Sequence, residues 1–294
     1  MTNFDYSWQA LLAPREKAEL FEFHADSFSP TADRFTLTNA WWMAQLCQIA
    51  YFPSAAEFTQ SKLSIPRSEI LGQHNLKELH SIDVPGAQGY VTTMGNLNVL
   101  ALRGTDDIND WAFNVKIHAV PWAGGGQVHQ GFLEAFDNIA TILNKIRNEH
   151  PEKRWIIAGH SLGAAIGVLA STILQPVQSY LFGCPRIGDA RFCENFDNKY
   201  LFDIRNEGDL VSTIPDAFGA VHFLRPGMGI WLHNGDWEES KGPATASPFP
   251  DISWSFKRLT TPADWHKPIK ELSDHSIINY IAQIESLLRS SPFF

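Results

Sequence analysis

Gly159-His160-Ser161-Leu162-Gly163 sets a serine between two glycines. This is the G-x-S-x-G pattern of a nucleophile elbow, a sharp strand-to-helix turn that lifts the serine Oγ above the sheet. A side chain at either glycine would crowd the neighbouring strand or helix. A serine hydroxyl is a weak nucleophile at neutral pH. It needs a base to take its proton and an acid to orient that base. In chain order the acid and then the histidine should follow the serine. The histidines after Ser161 are His222, His233, His266 and His275. Position favours His275, in Asp274-His275-Ser276, just ahead of the last predicted helix. Among the acids, Asp209 comes directly after a predicted strand ending at Arg205. Asp203 alternates within that strand, and Asp216 lies beyond Pro215. Spacing alone leaves a capping Asp209 and a surface His275 as equal alternatives.

A tetrahedral intermediate needs donors for its oxyanion. The backbone N–H of Leu162, at the start of the helix after the nucleophile, is one candidate. Leu102-Arg103-Gly104-Thr105 ends an earlier strand, and Thr105 could offer both its N–H and its hydroxyl. Taken alone, Arg-Gly-Thr reads as a turn. Beyond it, Ile108, Trp111, Ala112 and Val115 recur at helical spacing in a largely polar stretch. They predict a short amphipathic helix, read either as an ordinary surface helix or as a lid over the site.

The elements that must position these residues are legible in outline. A helix is predicted from Asn39 to about Tyr51. Gly89–Met94 and Leu97–Leu102 flank Gly95-Asn96 and read as a hairpin. Arg154–Ala158 reads as a strand, Leu162–Leu174 as a helix, and Ser179–Phe182 and Tyr200–Ile204 as further strands. The chain closes on a helix at about Ser276–Leu288. This alternation predicts an α/β fold with a mostly parallel central sheet and helices on both faces. One domain over residues 1–294 is expected, with an N-terminal extension at about 1–38 and an irregular insertion at about 216–273, in which only Ala220–Leu224 and Gly229–Leu232 look strand-like. Residues 53–82 read as a short helix and loops.

Composition narrows the partners. The chain has 294 residues, 44% of them hydrophobic, and a formal net charge of -9. A balance this acidic disfavours nucleic acid. No apolar run reaches the ~18 residues of a membrane span. Three cysteines without C-x-x-C spacing give no zinc motif, and no metal or organic cofactor is expected. No basic region followed by an apolar run is visible at the N-terminus. The expected location is therefore the cytoplasm by default, with signal-independent export as the alternative.

Several motifs coincide, and together they resemble the fungal-type (class 3) lipase family of the α/β-hydrolase superfamily. They are Arg103-Gly104-Thr105, Asp110-Trp111, Val128-His129-Gln130-Gly131-Phe132, the Gly159–Gly163 elbow, Phe182-Gly183-Cys184-Pro185-Arg186-Ile187-Gly188, Asn206–Pro215, and Asp274-His275 with Tyr280. The resemblance runs from about Asn39 to Tyr280. It implies an α/β-hydrolase fold with a short helical lid carrying Ile108, Trp111 and Val115. It implies Ser161 as nucleophile, Asp209 as acid and His275 as base, with Thr105 and Leu162 as oxyanion hole. His129 is then a structural histidine bonded near a helix start. The expected activity is carboxyl-ester hydrolysis, on acylglycerols or other apolar esters met at a transient lipid–water interface. A phospholipase, a feruloyl-type esterase, or a non-catalytic binding protein on the same scaffold are the alternatives. The chain departs from secreted fungal members in showing no signal peptide and no evident disulfides, and in a longer segment at 233–273.

Overall fold

The computed structural model describes residues 4–14, 20–23, 27–58, 65–105, 118–233, 235–240, 268 and 270–290. Its centre is an eight-stranded sheet whose strands lie side by side in chain order. They are β1 (Lys77–Val84), β2 (Ala87–Met94), β3 (Leu97–Leu102), β4 (Arg154–His160), β5 (Gln178–Phe182), β6 (Leu201–Asn206), β7 (Met228–His233) and β8 (Asp236–Glu239). The five strands from β3 to β7 run parallel, while β1, β2 and β8 join antiparallel at the two edges.

β3, β5 and β6 are buried along their whole length and β4 from Trp155 onwards, as parallel strands between two helical layers must be. Their side chains alternate between two cores. Val99, Ala101, Ile156 and Ala158 point into one, with Trp41, Met43, Tyr280 and Ile284. Leu100, Leu102 and Ile157 point into the other, with Phe132, Ile139, Val168 and Leu169. The first core lies under α1 (Leu37–Ile49) and α4 (Ile277–Ser290), and the second under α2 (Gln130–Glu149) and α3 (Leu162–Leu174). Thr36 caps α1 by accepting from the Asn39 N–H at 3.2 Å, and α3 ends at Gln175 in the left-handed region.

The predicted hairpin is present, with Met94 opposite Leu97 across the turn. Two expectations are corrected. Residues 77–84, read as part of a loop region, form edge strand β1. Its polar, half-exposed face weakens the apolar signal, and pairing with β2 decides its conformation. The strand-like stretch Gly229–Leu232, placed in an irregular insertion over the sheet's edge, belongs instead to the sheet: residues 228–233 form the fifth parallel strand, paired from Met228 opposite Phe202 to Leu232 opposite Asn206. Most of the remainder of that insertion, 241–267, lies outside the described residues.

His129 is also corrected in detail. Its side chain makes no cap hydrogen bond at the start of α2. The ring is buried against Phe132, with centroids 4.3 Å apart, and burial pulls its pKa down to about 4. The unfolded chain therefore protonates this group first as pH falls. Its contribution to stability is complete above about pH 6.5 and is lost progressively towards pH 4. We expect His129→Leu to show a smaller loss of unfolding free energy between pH 7 and pH 5 than the parent, by roughly 2 kcal/mol at most. Denaturant titrations at the two pH values measure it.

Candidate active site

Ser161 stands between the end of β4 and the start of α3, with φ 57° and ψ −126°. Few non-glycine residues adopt that backbone, and it is the strained geometry an elbow requires. The flanking glycines let the turn close. A Cβ on Gly159 would lie 2.6 Å from the Gly163 carbonyl oxygen, and one on Gly163 would lie 2.6 Å from that of Leu102. The Ser161 side chain is buried, and its Oγ makes no hydrogen bond among the described residues.

Asp209 and His275 meet although 66 residues separate them. His275 Nδ1 lies 2.9 Å from Asp209 Oδ2 and 3.1 Å from Oδ1. The carboxylate is buried and accepts further bonds from Tyr280 Oη at 2.6 Å, Val211 N–H at 2.9 Å and Ser212 N–H at 3.3 Å. Burial alone pushes this carboxyl up. The charge of His275 and the bonds from His275, Tyr280 and Ser212 outweigh it, and hold the group below the ordinary aspartate value. A carboxylate acceptor at Nδ1 fixes the proton there and leaves Nε2 to accept one. Nε2 is buried and has no partner among the described residues, like the serine Oγ. The other acids of the region are engaged elsewhere. Asp203 is buried between Arg205 and Arg225, and Asp216 is exposed and paired with Arg186. Of the remaining histidines, His222 is exposed, His233 is half-buried, and His266 lies outside the described residues.

Gly104 packs directly on the serine: a Cβ there would lie 2.8 Å from Ser161 Cβ. Thr105, next in the chain, and Leu162, at the first turn of α3, therefore flank the nucleophile from two elements. The lid residues Ile108, Trp111 and Val115 lie outside the described residues.

Sequence reasoning passed over His160 and Tyr51. His160 Nε2 is 2.8 Å from the backbone carbonyl of His275, an acceptor only, so Nε2 carries the proton. Burial, with the nearby His275 adding to it, pulls the His160 pKa down to about 3 and keeps the ring neutral. Its Nδ1 must then accept, and Tyr51 Oη, 2.8 Å away, donates to it. The same Tyr51 oxygen accepts the Gly104 N–H at 3.0 Å. One chain of bonds thus joins the Gly104–Thr105 turn, the elbow and the His275 loop. The only signal in the sequence was the identity of the residue before the serine. Tyr51→Phe breaks two of the three links and leaves the Gly104 N–H buried without this acceptor. We expect kcat to fall about 10- to 100-fold with KM little changed, and stability to drop by about 1–3 kcal/mol. Steady-state kinetics and denaturant unfolding check both.

Gly183 was quoted only as part of a turn motif. At φ 58°, a Cβ on it would lie 2.7 Å from His275 Nδ1 and 2.8 Å from Asp209 Oδ2. The histidine loop is held from beneath as well. Asn206 Nδ2 donates to the Asp274 carbonyl, Ser276 Oγ to the Ala10 carbonyl, and the Asp5 N–H to Asn279 Oδ1 at 2.8 Å. The segment at residues 5–12, read as part of a poorly patterned extension, therefore braces the site.

The family model described as Lipase (class 3) matches residues 99–218. The chain is 27% identical over 232 residues to secreted mono- and diacylglycerol lipase LIP1 of Malassezia globosa, covering 72% of this chain and 74% of that one. Over residues 99–218 the chain is thus similar to class 3 lipases. It has the α/β-hydrolase fold. A mutant form of MDLA from Penicillium cyclopium superposes with a TM-score of 0.61 at 17% identity, over 84% of this chain and 96% of that one. Phospholipase A1-II 1 of Oryza sativa subsp. indica is 30% identical over 192 residues, 53% of this chain and 47% of the rice protein. The Malassezia relative is named as secreted, which overturns the cytoplasmic expectation for this chain. That expectation rested on a leader not being recognised, and such an absence carries no positive information about compartment. No described helix is long and apolar enough to cross a membrane.

Proposed function

We propose that this chain hydrolyses acylglycerol esters outside the cell, acting as one catalytic domain through a Ser161–His275–Asp209 triad and an acyl-enzyme. The observation that carries the reading is the Asp209–His275 bond at Nδ1, which leaves Nε2 to act as base for a serine lifted on an elbow. Ser161 Oγ attacks the ester carbonyl as His275 Nε2 takes its proton. The N–H groups of Leu162 and Thr105 receive the oxyanion. His275 then protonates the leaving glycerol oxygen, and a water deprotonated by His275 releases the carboxylate. Asp209 holds the imidazole in the tautomer the first step needs and offsets its charge in the second. Apart from that water, this sequence of steps calls only on side chains and backbone of the chain. Substrate is met at a lipid–water interface, where apolar esters collect.

The test is release of fatty acid from emulsified mono-, di- and trioleoylglycerol against dioleoylphosphatidylcholine, with p-nitrophenyl esters from acetate to palmitate as soluble references. The proposal expects the acylglycerols to turn over at least tenfold faster than the phospholipid. Faster cleavage of the phospholipid would favour the phospholipase reading, which the similarity to the rice protein supports. Absence of turnover on every ester would overturn both.

A further inference from the structure

At the opposite edge of the sheet from Ser161 there is a cavity of about 480 Å³. It opens where β2 turns into β3 and β4 begins, at Met94, Leu97 and Arg154. β4 then runs seven residues to the elbow, so the two places are separated by roughly 20 Å of strand. Its volume is within the range of small-molecule sites.

We propose that this cavity is a second lipid site, which binds a long-chain carboxylate with its tail inside and its head at Arg154. The walls fit a tail: Phe28, Trp42, Leu76, Met94 and Leu97 line it. His74 adds to the apolar wall, because its ring is stacked on Phe21 with centroids 4.0 Å apart and burial lowers its pKa. The mouth fits a carboxylate. One Arg154 donor bonds the Pro30 carbonyl at 3.1 Å, which fixes the guanidinium while its other N–H groups stay available for a carboxylate. Lys153 stands beside it, donating to the Gly95 carbonyl at 2.8 Å. Two adjacent cations are notable on a chain of net charge -9, and none of the described lining residues is acidic.

The wall is a built one. Residues 28–31 form one side of the cavity and are tied down around it. Asn39, buried in α1, bonds both the N–H and the carbonyl of Ser29 at 2.9 Å. Gln178 Nε2 donates to the Ala32 carbonyl at 2.8 Å. A carboxylate with a long chain is also the product class of the proposed hydrolysis, so the site would sense product away from the reacting centre.

Binding can be read locally and without turnover. The chain has 4 methionines, and Met94 is the one among the described residues that lines the cavity. With methyl-¹³C methionine in the full chain, the Met94 signal is assigned by Met94→Leu and followed during titration with sodium dodecanoate below its aggregation concentration. A saturable shift of that signal is expected. Arg154→Gln should weaken the apparent affinity about tenfold or more, and dodecanol should bind the parent protein more weakly by a similar factor. An unmoved Met94 methyl, equal affinity for dodecanol, or an unchanged affinity in Arg154→Gln would each overturn the proposal. These readouts do not depend on Ser161, so failure of the hydrolysis reading leaves them interpretable.

Discussion

Ser161→Ala is expected to lower kcat for ester hydrolysis by about a millionfold, with the fold intact. Members of a catalytic triad act as a unit, and loss of the nucleophile forfeits everything the unit contributes, on the order of 10⁶ in rate. The remaining acceleration comes from binding and from the oxyanion donors at Leu162 and Thr105. Alanine keeps the strained backbone, because the sheet and α3 hold residue 161 at φ 57° whatever its side chain. A glycine at the same position relieves that strain, which costs of order 1–3 kcal/mol in a non-glycine residue. Ser161→Gly should therefore be as inactive as Ser161→Ala and melt at a higher temperature. Active-site titration with a phosphonate ester, run beside thermal unfolding, separates the two effects. Residual activity within a hundredfold of the parent in Ser161→Ala would place the nucleophile elsewhere.

Asp209→Asn should have the next largest effect, a loss of about 10⁴ in kcat. The carboxylate accepts from His275, Tyr280, Val211 and Ser212 at once. An amide offers a single acceptor oxygen and turns an N–H towards at least one of those donors. The bond at Nδ1 then favours the wrong tautomer of His275, and Nε2 no longer accepts the serine proton. The same contacts give a stability effect whose sign follows from the lowered pKa. Asp209 stabilises the fold above the unfolded aspartate value near 4, and that contribution disappears as pH falls through the lower folded value. Tyr280→Phe removes one donor and leaves the tautomer unchanged, so its loss should be only about tenfold. An Asp209→Asn loss no greater than that of Tyr280→Phe would mean that the carboxylate does not orient the base.

The elbow turn was easier to read in the sequence than the scaffold around it. The elbow announces itself because its glycines answer a steric need that any side chain would violate, and the apolar runs at 97–102 and 154–158 follow from burial on both faces. β1 was missed for the converse reason. An edge strand has one solvated face, and its conformation is decided by a partner 10 or so residues away rather than by its own pattern. β7 left a strand-like trace at Gly229–Leu232, but its place in the sheet was not legible, because the glycine- and tryptophan-rich text around it resembles loop and the parallel pairing with β6 is a long-range event. Asp209 and His275 stood at even odds from spacing, since no local signal reports that two segments 66 residues apart will touch. His160 and Tyr51 left still less trace. A buried histidine and a buried tyrosine are individually ordinary, and only the directions of their hydrogen bonds give them a role.

The brace under His275 has a consequence for how this enzyme comes into being. Asp5 and Asn279, 274 positions apart, hold one another, and Ala10 receives the hydroxyl of Ser276. The sheet, by contrast, is assembled from neighbours in chain order. A ribosome therefore releases most of the sheet-forming sequence well before the last ligature of the active centre can be tied. On the proposed triad, a chain that stops short of His275 is therefore expected to keep the strands of its sheet and to show no esterase activity.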